Sequence, residues 1–474
     1  MSSTVEESII DEADEAPRAQ MVGGIVALVG RPNVGKSTLF NRLLGRKEAI
    51  VHDQPGVTRD RHYGDVLSRG RRYTLVDTGG FDPESEDPMR MGIKRQVELA
   101  VAEADVIVCV LDAAQAIVPA DHKEVALLRR AQKPVIFIAN KADSPRLENE
   151  AADLYRLGME RLIHVSALHG RGIDELEAAI DAVLPAPEPV APKIDDGAVH
   201  IAVIGRPNAG KSSLVNRLAG GERVLVDSRP GTTRDPIDLR IERDGKPWVL
   251  VDTAGIRRKA KVTKENDVVE AVSVLHAIRA MERCEVALLM CDAAEGASEQ
   301  DAKILGLAED RGRAIVIAMN KIDLVDKTRS KNLDEETRDK LSFTPWAPIV
   351  HVSAQTGRGM NVLFDTVGRV AAAYRRRVPT AELNRFFEQV LETHPPPTSG
   401  GRAPRLYYIT QAETSPPLFV IIASDPTKIH FSYRRYVMNQ LRKSFGFDGV
   451  PVRVKYKEKR RKELVGRVRD IRRK

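Results

Sequence analysis

Two eight-residue segments carry the residue types that hold a polyphosphate. One is Gly30, Arg31, Pro32, Asn33, Val34, Gly35, Lys36 and Ser37; the other is Gly205, Arg206, Pro207, Asn208, Ala209, Gly210, Lys211 and Ser212. Both fit G-x-x-x-x-G-K-S. The glycines let backbone N–H groups close around phosphate oxygens at a helix N-terminus, the lysine reaches the β- and γ-phosphates, and the serine hydroxyl ligates magnesium. A single match of this kind arises by chance; two matches, each after an apolar run, do not.

Each loop is followed by the same set of partners in the same order. Thr58 and Thr233, in polar stretches, offer a hydroxyl and a carbonyl that can close over the metal and so act as switch residues. Alone, such a threonine is an ordinary loop residue; its place between the loop and the next motif singles it out. Asp77, Thr78, Gly79, Gly80 and Phe81 are matched by Asp252, Thr253, Ala254, Gly255 and Ile256. The aspartate is placed to hold magnesium through its water shell, and Gly80 or Gly255 to offer an N–H to the γ-phosphate. Phe81 and Ile256 stand where a Ras-like site carries a water-orienting glutamine, and neither can hydrogen-bond water.

Base choice is the most specific signal. Asn140, Lys141, Ala142 and Asp143 return as Asn320, Lys321, Ile322 and Asp323. The aspartate can accept two hydrogen bonds from guanine N1–H and N2–H₂, which adenine cannot supply. The asparagine braces the loop, and the lysine stem can cover the ring. Ser166 and Ala167, with Ser353 and Ala354, can present a backbone N–H to guanine O6. The expectation is a guanine nucleotide site, twice, with Lys36, Thr58, Lys211 and Thr233 doing the phosphate and switch work.

The elements that must position these residues follow from the repeat. Apolar runs such as YTLVD, VIVCVLDA and PVIFIAN alternate with longer amphipathic segments. Short runs without period-2 alternation suit strands covered on both faces, so each copy is expected to be α/β, a mostly parallel sheet with helices on both sides. Between the copies, Pro185, Pro187, Pro189 and Pro192 make a semi-extended linker that lets the copies move relative to one another. After about residue 378 the order becomes helix, strand, strand, helix, strand, a small α+β unit. The divisions expected are an acidic, disordered extension over 1–23, a first domain over 24–184, a linker over 185–198, a second domain over 199–378, and a third over 379–474.

A 474-residue chain with 42% hydrophobic and 30% charged residues has ample material for several cores and excludes wholesale disorder. The cysteines, Cys109, Cys284 and Cys291, lie in apolar strand-like runs and read as small core residues in a reducing compartment. With no apolar run near the roughly 18 residues of a span, and an acidic N-terminus unlike a signal peptide, a cytoplasmic location away from membranes is expected. The charge is uneven. Residues 379–474 hold 20 Lys and Arg against 9 Asp and Glu, and 11 of the 22 aromatics, whereas residues 1–378 sum to −4. Such a basic end invites a polyanion, because each neutralised phosphate releases counterions; a merely solvated tail is the plainer alternative.

The order G-x-x-x-x-G-K-S, PG[VT]TRD, DTxG, NKxD and SA, duplicated and followed by a basic α+β unit, resembles the EngA/Der double-GTPase family of bacteria. The resemblance covers nearly the whole chain from about residue 25. It implies two tandem Era-like P-loop GTPase domains and a KH-like C-terminal domain. It also implies a cycle of GTP and GDP with Mg2+, and binding to the large ribosomal subunit and its rRNA in aid of its assembly, the protein being a monomer off the ribosome. It further implies that Asn33 and Asn208 coordinate K+, which could supply the charge stabilisation that Phe81 and Ile256 cannot; shaping the loop is their other reading. Within the third domain, GFDG (446–449) imitates a KH clamp. It lies between a helix and the final strand, so Gly446 is expected to cap the helix and Gly449 to turn the chain. RNA contact is expected instead from Arg434, Arg435, Arg442, Lys443 and the terminal run. Of Tyr433 and Tyr436, at least one is expected in the core.

Overall fold

The computed structural model describes residues 21–45, 63–69, 71–78, 104–185, 197–221, 223–224, 238–253, 275–397 and 403–459. The first copy builds β1 (Met21–Val29), α1 (Lys36–Gly45), β2 (Tyr63–Ser68), β3 (Arg71–Asp77), β4 (Val106–Asp112), α2 (Pro119–Arg130), β5 (Val135–Asn140), α3 (Pro145–Glu150), β6 (Ile163–His164) and α4 (Ile173–Val183). The six strands lie in the order β2-β3-β1-β4-β5-β6, parallel except for the β2–β3 pair. Every residue of β4 is buried, as expected of a central strand covered on both faces.

The second copy repeats this with β7 (Val199–Ile204), α5 (Lys211–Gly221), β8 (Arg223–Val224), β9 (Leu239–Arg243), β10 (Lys246–Val251), β11 (Val286–Asp292), α6 (Glu299–Asp310), β12 (Ala314–Asn320), α7 (Lys327–Lys340), β13 (Ile349–His351) and α8 (Met360–Tyr374). The order is β13-β12-β11-β7-β10-β9-β8, with β8, β9 and β10 antiparallel and the rest parallel. In both sheets the order in which strands are added reverses at the central strand, β1 or β7, which feeds the phosphate loop. In such sheets ligands bind beyond the carboxyl ends of the strands, beside this reversal.

The third unit is α9 (Thr380–Thr393), β14 (Leu406–Thr414), β15 (Pro417–Ala423), α10 (Phe431–Phe445) and β16 (Arg453–Glu458), its strands ordered β14-β15-β16. Gly446 ends α10 in the left-handed region at φ 63°, and Gly449 follows at φ 72°. The GFDG segment therefore caps and turns, and it also docks. Ile315 N donates to Gly449 O at 2.7 Å, and Gly449 N donates to Trp346 O at 2.9 Å. A Cβ at Gly449 would come within 2.6 Å of Val370, so only glycine lets α8 approach. One apolar cluster runs from Ile201, Val316 and Val370 through Tyr374 and Val378 to Phe387, Phe445, Phe447 and Val450. The second G domain and the C-terminal domain share a core.

The first domain meets the second through charge as well as apolar surface. Arg311, with a side chain only 2% exposed, donates to Asp65 Oδ1 at 3.2 Å and Thr74 Oγ1 at 3.0 Å on the first sheet, and to Glu282 at 2.9 Å on its own domain. Burial pushes the Asp65 carboxyl up, but Arg311 and Arg72 outweigh it and hold it at about 2. Arg279 adds a second bridge, to Asp105 at 2.8 Å. On the other side of the same turn, Arg453 of the C-terminal domain donates to Asp310 O at 2.7 Å. Cys109, Cys284 and Cys291 are buried and free, as expected of core residues. Among the described residues no helix is long and apolar enough to cross a membrane.

Candidate functional site

Each phosphate loop joins a buried strand to a helix, β1 to α1 and β7 to α5. Asn33 and Asn208 sit at φ 66° and 64° and face solvent, while Val34 and Ala209 are buried as the loop's anchors. Pro32 is exposed and Pro207 half-buried. Lys36 Nζ folds back over its loop to Gly30 O at 2.5 Å and Arg31 O at 2.7 Å; Lys211 Nζ reaches Gly205 O at 2.6 Å and also Arg206 O. Burial pulls the Lys36 ammonium down, with Asp77 and Glu124 opposing. The lysines therefore ring the concavity that a phosphate chain would fill, using loop carbonyls as partners.

The strand ends bring the distant motifs to these loops. Register sets Leu28 of β1 beside Asp77 at the end of β3. Ser37 Oγ donates to Asp77 Oδ2 at 2.8 Å, and Thr78 Oγ1 ties the strand end to Leu28 O at 2.6 Å. Two hard oxygen donors side by side suit a magnesium ion. In the second copy Asp252, at φ 56°, donates its own N–H to Asp238 Oδ1 at 3.0 Å; its Oδ2 lies 3.3 Å from His276 Nδ1, and Thr253 beside it is buried. Thr58, Gly79, Gly80, Phe81, Thr233, Ala254, Gly255 and Ile256 lie outside the described residues.

The base-recognition motifs form a linked set in both copies. Asn140, 2% exposed, donates from Nδ2 to Val34 O at 2.8 Å and accepts at Oδ1 from Ala167 N at 3.0 Å. Asn320 makes the same two bonds, to Ala209 O and from Ala354 N, both at 2.9 Å. One side chain thus clamps the phosphate loop to the Ser-Ala loop. A Cβ at Gly35 or Gly210 would sit 2.3 or 2.0 Å from that amide nitrogen, so glycine there is a requirement of the clamp. A backbone N–H of the Ser-Ala motif is expected to face guanine O6; that of Ala167 or Ala354 is already engaged by the asparagine, and a base would have to share it. Ser166 Oγ donates to Asp143 Oδ1 at 2.5 Å; Ser353 Oγ accepts from Thr356 N at 3.1 Å. Ala142 and Ile322 are buried beneath, leaving Asp143 and Asp323 exposed at the rim.

Some residues of the site escaped the motif reading. Lys141 and Lys321, in the left-handed region at φ 67° and 63°, are held by Asp112 and Asp292, each at 2.6 Å. Arg31 pairs with Asp121 at 2.5 Å, and Arg206 with Asp301 at 3.1 Å and Glu295 at 2.8 Å. These aspartates recur 180 residues apart, as Asn140 and Asn320 do, so the repeat itself carried their signal. Of the residues expected to meet RNA, Arg434, Arg435 and Lys443 are exposed, Arg434 with its guanidinium held by Ile429 O at 3.0 Å and Pro426 O at 2.7 Å. Arg442 is not available: it stacks 4.9 Å over Trp346 of the second G domain, where burial lowers it to about 10. Tyr433 is buried and donates to His394 O at 2.8 Å, so it belongs to the core.

The comparisons with known proteins follow this division of the chain. A family model described as 50S ribosome-binding GTPase matches residues 25–141 and again 200–321, and a KH-domain-like model of the C-terminal part of EngA bacterial GTPases matches residues 377–457. The GTPase Der of Syntrophotalea carbinolica is 46% identical over 93% of this chain and its own full length, and that of Symbiobacterium thermophilum 46% identical over 95% of each. Among solved structures, the G domain of the T. maritima FeoB iron transporter covers 34% of this chain at 27% identity and a TM-score of 0.25. With two matched GTPase domains, a matched C-terminal domain and relatives aligned almost end to end, this chain belongs to the GTPase Der (EngA) family and hydrolyses GTP.

Proposed function

We infer that the chain is a nucleotide-controlled switch that binds the large ribosomal subunit through its rRNA and assists its assembly in the cytoplasm, as a monomer when free. The observation that carries this reading is the shared core of the second G domain and the basic C-terminal domain, which couples a nucleotide site to a cationic surface without a flexible joint. The RNA surface is assigned to Arg435 and Lys443 on α10 and to Tyr407, which is exposed between Arg405 and Lys459, the latter 4.6 Å from its ring. Cations beside an exposed aromatic suit a phosphate backbone with unstacked bases. The terminal run over 460–474 lies outside the described residues.

In each G domain the phosphate loop would hold the β- and γ-phosphates, with Lys36 or Lys211 turning from the loop carbonyls to the phosphate oxygens. Ser37 with Asp77, and Ser212 with Asp252, would hold Mg2+, joined by Thr58 and Thr233; the ion neutralises charge that develops between the β- and γ-phosphates. Asp143 and Asp323 would select guanine. Asn33 and Asn208, exposed at the loop apex, are assigned to K+. Turnover should then be faster in potassium than in sodium at equal ionic strength, and Asn33→Ala with Asn208→Ala should remove the difference; equal rates in both salts would overturn the assignment.

Subunit binding is tested by sedimenting the full chain with ribosomal subunits in GTP, in GDP and without nucleotide. Deleting residues 379–474 would strip the cover from Val370, Tyr374 and Val378, so substitution is the cleaner probe. Arg435→Glu with Lys443→Glu should weaken large-subunit binding at least tenfold and lower its dependence on salt while leaving GTP hydrolysis intact. Unchanged binding would return the basic surface to a solvating role.

A further inference from the structure

The helix after each phosphate loop carries an arginine that none of the recognition motifs includes. Arg42 of α1 donates from Nε to Ala167 O at 2.8 Å and from its terminal nitrogen to Leu168 O. Arg217 of α5, six residues beyond Lys211 as Arg42 is beyond Lys36, makes the same pair of contacts with Ala354 O and Gln355 O. The fit continues around it: a Cβ at Gly357 would lie 2.8 Å from the Arg217 guanidinium. The two repeated domains, which differ at many positions, thus each place a forked donor on two successive carbonyls of the Ser-Ala loop.

The consequence is set by peptide geometry. In a planar trans peptide the C=O and the N–H of the next residue point in opposite directions. Holding Ala354 O toward Arg217 therefore turns the Gln355 N–H away from that helix; holding Ala167 O toward Arg42 does the same for the Leu168 N–H. The next amides, of His169 and Thr356, are fixed by Ser166 Oγ and Ser353 Oγ at 3.1 Å each. With the Ala amide engaged by asparagine, the amide of the following residue is the donor that the arginine aims.

We propose that Arg42 and Arg217 are positioning residues for base recognition, each pinning the Ser-Ala loop so that the Leu168 or Gln355 N–H is presented to the 6-oxygen of guanine. This rests on the reading of both sites as guanine sites. Neither arginine touches the base; each acts through the peptide planes it holds. A forked, planar donor matches two adjacent carbonyls as a lysine cannot.

The test reads one site at a time in the full chain, with the first silenced by Lys36→Ala. Binding of GDP is compared with that of 6-thio-GDP, which keeps both donors to Asp323 but carries sulfur, a weak acceptor, at position 6. Arg217→Leu is expected to weaken GDP threefold to tenfold, the range for one neutral hydrogen bond, and to leave 6-thio-GDP nearly unchanged, so that the preference between the two collapses. Arg217→Lys should recover part of it. Equal weakening of both nucleotides, or of neither, would overturn the proposal and leave Arg217 as a structural tie. Asp323→Asn in the same background separates the two levels: if it leaves GDP affinity unchanged, the guanine site itself has been misread.

Discussion

Glu124 puts a carboxyl on the buried face of α2, where the matching residue of α6, Ile304, puts a hydrocarbon side chain. The two helices align through Asp121 and Asp301, each three residues upstream. Among the described residues neither oxygen of Glu124 has a hydrogen-bond partner, and burial, relieved in part by Lys36, pushes it up to about 7. A carboxyl raised from its ordinary value near 4.3 binds a proton in the folded state that the unfolded chain has released. Its contribution therefore weakens as pH rises from about 4.3 to 7 and stays low above that, by roughly 4 kcal/mol in all. Glu124→Ile should raise the melting temperature of the first G domain by several degrees at pH 8 and by far less at pH 5; an equal gain at both would show that its charge is not what costs stability. At the rim, Asp143→Asn or Asp323→Asn should weaken GTP at its own site by about 1.5–3 kcal/mol, read by titration with the other site silenced.

At the scale of the element, α2 and α6 differ at their first residue. Ser298 caps α6, its hydroxyl accepting from Asp301 N at 3.2 Å while the Asp301 carboxylate accepts from Ser298 N at 3.0 Å. In α2 the cap is Val118, which has the same extended backbone and donates its N–H to the Asp121 carboxylate at 2.9 Å but has no side-chain acceptor. Val118→Ser should stabilise the first G domain by about 1 kcal/mol in denaturant unfolding, and Ser298→Ala should cost the second a similar amount. Those caps were not read from the sequence; what was legible in it was local: glycine-lysine loops, buried strands read from apolar runs, and a GFDG between helix and strand. What stayed hidden was non-local. The antiparallel partner β8 is two residues long and has no pattern of its own. Arg442 has the composition of an RNA contact, and only the docking of Trp346 beneath it shows otherwise. Arg42 and Arg217 are half-buried on their helices, and nothing in the sequence around them marks them out from an ordinary helix arginine.

Across the whole molecule, the turn at Asp310, Arg311 and Gly312 is touched by all three domains. Removing one member of a buried ion pair costs about 3–5 kcal/mol because the partner charge is left behind. Arg311→Met should therefore detach the first domain from the second, seen as a larger radius of gyration in solution scattering; an unchanged profile would mean that the apolar contact and the Arg279–Asp105 bridge suffice to hold them. The Asp65 carboxyl, held at about 2, keeps this bridge intact above its ordinary value near 3.9, and protonation weakens it as pH falls toward 2. The shared core of the second and third domains bears on synthesis. The first domain closes one apolar cluster with residues no later than Leu184, but the cluster of the second is completed only by Phe445, Phe447 and Val450. At about 5–20 residues per second, translation from the end of α8 to that segment takes roughly 4–15 s. During that interval Val370 and Tyr374 are made but not yet covered, so a nascent chain stalled there is the form of this protein most in need of a chaperone.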